Sequence, residues 1–113
     1  MASSDPALRW TELAGAALLP GITVSLAHGD RLTAALYSLE PGAVVPEHSH
    51  DNEEFGQVLA GSLELIAGGK AQTMAAGEGF LLPGGAPHSA VAGPAGCQLL
   101  ECYAPPRDPV SSS

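Results

Sequence analysis

Two histidines separated by one residue, with a glutamate four positions after the second, constrain this chain more than any other feature. They lie in Gly42–Gly61, GAVVPEHSHDNEEFGQVLAG. Side chains of an extended strand alternate between two faces, so His48 and His50 turn both imidazoles to the same side. Glu54 follows the polar bend Asp51-Asn52-Glu53 at the start of a second apolar run, from which its carboxylate can return toward the rings. A fourth candidate comes from GEGFLLPGGAPHSAVA (77–92), where Pro83-Gly84-Gly85 makes a turn and delivers His88 to a further β-rich run. Three neutral imidazoles and a carboxylate suit one divalent transition-metal ion: iron, manganese, nickel or zinc. Four ligands on an octahedral ion leave two positions for water or substrate.

The surrounding sequence predicts an all-β fold. Its 14 glycines and 10 prolines break the apolar residues into short runs punctuated by turns, as in a sandwich or barrel. A chain of 113 residues has material for a single core, burying roughly two-thirds of the surface its unfolded form exposes. Four Lys plus Arg against 12 Asp plus Glu give a formal charge of −8, which repels phosphate backbones and anionic membrane surfaces. The expected partners therefore include neither nucleic acid nor membrane. MASSDPALRW lacks the basic start and apolar run of a secretory signal, and no stretch approaches the ~20 apolar residues of a membrane span, so the expected location is the cytoplasm. Cys97 and Cys102 are five apart on one predicted strand, hence on opposite faces, and read as reduced packing residues.

In chain order, residues 1–21 are expected to form an N-terminal arm, with a helical turn near 7–13 and Trp10 as its anchor. A single barrel domain (22–104) and a C-terminal tail (105–113) follow. ITVSLAH (22–28) and RLTAALYSLE (31–40) read as a hairpin turned at Gly29-Asp30. Gly61 reads as a tight connection between strands 54–60 and 62–67, with another turn at Gly68-Gly69. Glu47 is expected to alternate away from His48, while His28 borders its turn as a hydrogen-bonded or solvated residue. CQLLECYA (97–104) reads as the last strand. With its odd positions inward, Glu101 and Tyr103 point toward the metal cavity, and Arg107 folds over the mouth after Pro105-Pro106. With its even positions inward, Glu101 is solvated and Arg107 is a tail residue; the pattern alone leaves both arrangements open.

The spacing Gly42-x5-His48-x-His50-x3-Glu54-x6-Gly61 resembles the first motif of the cupin family without a departure. Gly77-x5-Pro83-x-Gly85-x2-His88 resembles the second, with Ala92 where that family usually carries an Asn that is not a metal ligand. The resemblance implies an antiparallel β-barrel, a double-stranded β-helix or jelly roll, with His48, His50, Glu54 and His88 on one metal ion. The segment ECYAPPRD (101–108) is further similar to the C-terminal acid-x-aromatic-x-Pro-Pro-Arg-acid of small single-domain cupins related to the pectin-degradation protein KdgF. By position, this implies catalytic roles for Glu101, Tyr103 and Arg107, with Glu and Tyr in place of that group's Asp and Phe. The substrate class it implies is a 4,5-unsaturated galacturonate, opened and tautomerised without an oxidant.

The expected function is thus a metal-dependent lyase or isomerase acting on a small acidic molecule, in a homodimer of the kind cupins of this size often form. Rival readings are an Fe(II)-dependent dioxygenase, a polyketide-tailoring cyclase, and a non-enzymatic ligand-binding module. Sensors of the last kind usually carry a DNA-binding domain, for which 113 residues leave no space. A small barrel argues against a large polycyclic substrate.

Overall fold

Alternating small, branched and aromatic residues favour extended backbone throughout the chain. A computed structural model, which describes residues 5–111, contains eight strands. These are β1 (Ala16–Leu19), β2 (Ile22–His28), β3 (Thr33–Leu39), β4 (Val44–His48), β5 (Glu53–Ala67), β6 (Lys70–Ala75), β7 (Gly79–Leu82) and β8 (His88–Ala104). Residues 1–4 of the expected arm and 112–113 of the expected tail lie outside the described residues. A 3-10 turn at Trp10–Glu12 falls where a helical turn is expected, with Trp10 half-buried. Residues 16–19, placed by sequence in the arm, instead form a strand paired with β2.

The long strands β5 and β8 pair with each other in two places and each serves two sheets. The first half of β5 lies between β7 and the second half of β8, giving the order β1-β2-β3-β8-β5-β7. The second half of β5 lies between β6 and the first half of β8, giving β4-β8-β5-β6. Every pairing is antiparallel, and the result is a jelly-roll barrel. Ile22, Val24, Ala35, Leu39, Val58 and Leu63 belong to its core. Among the described residues, no helix is long and apolar enough to cross a membrane.

Two expectations change here. Gly61 is not a turn between strands, and CQLLECYA is not a strand of its own; β5 and β8 each continue through a bend. Gly61 and Gly96 take φ of 75° and 80° beside each other, and a Cβ on Gly61 would fall on the Gly96 carbonyl. A positive φ allows either a turn or a bulge, and the crossing of the two strands selects the bulge. Gly61→Ala is accordingly expected to cost more than the ~1–2 kcal/mol of left-handed backbone alone. An unchanged urea midpoint would show that the bend does not need glycine.

Candidate metal centre and cavity

The four expected ligands come from three strand ends. β4 stops at His48, His50 follows in the bend, Glu54 is the second residue of β5, and His88 opens β8 as the ladder partner of His48. His50 therefore lies beyond the strand on which sequence placed it. Its ring still approaches the others, with centroids 5.7 Å from His48 and 5.3 Å from His88. One potential ligand nitrogen from each of His48, His50 and His88 falls within 4.8 Å of the other two. Glu54 Oε1 lies 2.9 Å from His50 Nε2 and 3.4 Å from His88 Nε2.

Backbone carbonyls orient two of the rings. His48 Nδ1 is 2.9 Å from the Pro46 carbonyl and His88 Nδ1 is 2.9 Å from that of Ala86. A carbonyl only accepts, so both Nδ1 atoms carry hydrogen, and a ring bearing that one proton presents its Nε2 as an electron-pair donor. His88 Nε2 and His50 Nδ1 are buried without a hydrogen-bond partner. Orphaned imidazole nitrogens beside a buried carboxylate are a costly arrangement that a bound cation would relieve, so these residues fit a metal ion. Burial and then the Arg107 charge hold His50 below its usual range, favouring the neutral ring that ligation requires. Burial opposes the charge of Glu54, but His88, Glu101 and His50 outweigh it and bring its pKa down to about 2.

Strand register builds a second group against these ligands. Tyr103 pairs with Glu54 and with Thr33, and Glu101 pairs with Gly56 and Ala35, all on the inner face. Ala35 and Gly56 are small, so this layer has room for the Glu101 carboxyl and for Phe80, whose ring occupies the space a Cβ on Gly56 would take. Glu101 is 8% exposed and Tyr103 2% exposed. The Tyr103 hydroxyl donates to Glu101 Oε1 at 2.5 Å, which uses its only hydrogen. The close Tyr37–Tyr103 hydroxyl pair must therefore be donated by Tyr37. Burial, then the Glu54 charge, hold Glu101 well above the usual carboxyl range, so of these two hydrogen-bonded carboxyls Glu101 is the one that keeps its proton. The chain of donation runs Tyr37, Tyr103, Glu101, Glu54.

The tail closes one side. Asn52 Nδ2 donates to the Pro105 carbonyl at 2.5 Å, and the Arg107 backbone N–H donates to Thr33 Oγ1 at 3.1 Å. The guanidinium carbon of Arg107 stands 5.3 Å from the Tyr103 ring centroid, within range of a cation–π attraction. His28 Nδ1 is 2.9 Å from the same Thr33 hydroxyl, a hydrogen-bonded strand-end histidine. Asp51 and Glu53 are exposed; Glu47, expected to turn away, is exposed but lines the cavity rim, because the β4–β8 register shifts between Val45 and His48. Sequence reasoning missed Tyr37, Thr33 and Asn52. Alternation within TAALYSL would have turned Tyr37 and Thr33 inward, but nothing local marks either as part of a site.

Residues 35–101, more than half of the chain, match the cupin domain family. This chain is a cupin. Among solved structures, KdgF from Halomonas sp. is 28% identical, with 87% of this chain and 91% of that chain covered at a TM-score of 0.82. An RmlC-like cupin from Shewanella frigidimarina is 22% identical over 93% and 95% of the two chains, with a TM-score of 0.85. The polyketide cyclase RemF from Streptomyces resistomycificus is 23% identical over 88% and 79%, with a TM-score of 0.77. The comparison with curated proteins found no match.

The three histidines of this cupin form a cluster suited to a metal ion. A cavity of about 400 Å³ opens beside it, lined by His48, Glu54 and His88 together with Glu101, Tyr103 and Arg107. Such a site sets imidazole and carboxylate ligand atoms, a buried carboxyl and a guanidinium around a volume suited to a small molecule.

Proposed function

We propose that this cupin is a metal-dependent enzyme that moves a proton on a small hydroxy- or oxo-acid without net oxidation. The observation that carries the reading is Glu101: a buried carboxyl, kept protonated, hydrogen-bonded by Tyr103 and facing the cavity beside the ligand cluster. A divalent ion on His48, His50, Glu54 and His88 would supply Lewis-acid polarisation of a substrate oxygen.

The chain's own residues supply the rest. Arg107 holds the substrate carboxylate by two parallel hydrogen bonds, a geometry a guanidinium provides and an ammonium does not. Glu101 gives its proton to the carbon of an enol, and Tyr103 stabilises the carboxylate that results through the hydrogen bond it already makes. The enol O–H bond breaks as the C–H bond forms, and its proton returns to Glu101. The keto acid leaves with no electron gained or lost. The ECYAPPRD segment and the likeness to Halomonas KdgF make an unsaturated uronate, opened at its hemiacetal before tautomerisation, one candidate to try among such acids.

Turnover of a candidate enol or uronate by zinc-loaded protein is expected to be equal in air and under nitrogen, followed by NMR of the keto product. Strict dependence on dioxygen would move this cupin to the oxygenase reading.

A further inference from the structure

The cavity is polar at one end only, and strand register shows why. The layer Thr33, Tyr103 and Glu54 on one sheet, with the Ala35, Glu101 and Gly56 layer next to it, meets the His48–His88 pair on the other. Deeper along the same strands, inward positions become Tyr37, Leu99 and Val58, then Leu39 and Cys97, facing Leu65 and Leu63 across the barrel. Leu18 and Leu19 of β1, both half-buried, add to the apolar lining, as does Phe80. Tyr37 brings the one hydroxyl to this deep half, and it is already committed to Tyr103.

We infer that the ligand of this site is an acid with an apolar body, its carboxylate or enol oxygens at the His48, Glu54, His88 and Arg107 end and its hydrocarbon among the leucines. The inference rests on the proposed acid-binding role of the polar end and narrows it away from polyhydroxylated sugar acids. A sugar ring carries a hydroxyl on nearly every carbon, and one buried against leucine without a partner weakens binding on the order of tenfold. A methylene in the same place strengthens it about fourfold. The volume of about 400 Å³ equals that of roughly a dozen waters, enough for a head group and a short chain or single ring.

The test is calorimetric titration of zinc-loaded protein with acetate, butanoate, hexanoate and galacturonate. Affinity is expected to rise about fourfold per methylene along the series. Heat-capacity changes should become more negative as the chain lengthens, because more apolar surface is buried. Galacturonate should bind more weakly than hexanoate. Leu18→Ser should weaken hexanoate while leaving acetate unchanged, since acetate reaches only the polar end. A flat series, or galacturonate tighter than hexanoate, overturns the inference while leaving the acid-binding end intact. Failure of every acid to bind protein that holds its zinc overturns both.

Discussion

Protein with His50→Ala is expected to fold and to lose its metal. The ring is buried, its side chain 9% exposed, and removing it takes one partner from the buried Glu54 carboxyl, which keeps His88 and Glu101, so the metal-free barrel should fold with reduced stability. The bound ion loses a direct ligand. Changes to groups that merely support metal ligands already weaken binding by about 10–100-fold, and loss of a ligand should exceed that. In wild-type protein, metal at about a thousand times its dissociation constant should stabilise the fold by about 4 kcal/mol, a gain the variant should largely forfeit. Elemental analysis after desalting and thermal melts with and without zinc read the two effects. Full occupancy in the variant would refute the assignment of His48, His50, Glu54 and His88 as one centre.

Glu101→Gln should abolish most turnover with the metal in place. A glutamine amide can still accept from Tyr103 and donate to Glu54, so the hydrogen-bonded chain and the packing around Ala35 and Gly56 survive. It carries no transferable proton. Loss of a positioned general acid costs typically 10²–10⁴-fold in rate, and kcat should fall by that order while metal content and melting temperature stay near wild type. Retention of more than about a tenth of kcat would be far too small a loss for a general acid and would assign Glu101 to structure alone. Because Glu101 and Glu54 are hydrogen-bonded, Glu101→Ala is the poorer test: it leaves Glu54 and the Tyr103 hydroxyl without their partner.

Much of this cupin is legible locally. The period-2 alternation of its strands, the glycine and proline turns, and the His48, His50, Glu54 and His88 spacing all report relations over a few residues, where chain geometry leaves few options. The hairpin of β2 and β3 and the inward parity of Glu101 and Tyr103 belong to the same class, although parity alone did not say which face was the inner one. Beyond that range the tertiary structure decided. Gly61 and Gly96 allow positive φ wherever they stand, and only their meeting across β5 and β8 turns two apparent strand breaks into two bends. Thr33 holds Arg107 from 74 residues away, and Tyr37 finds the Tyr103 hydroxyl across 66. The division of the cavity into a polar and an apolar end follows from the register of strands distant in sequence. Register is set by the simultaneous burial of all inner faces, a sum over the whole barrel that no single segment carries.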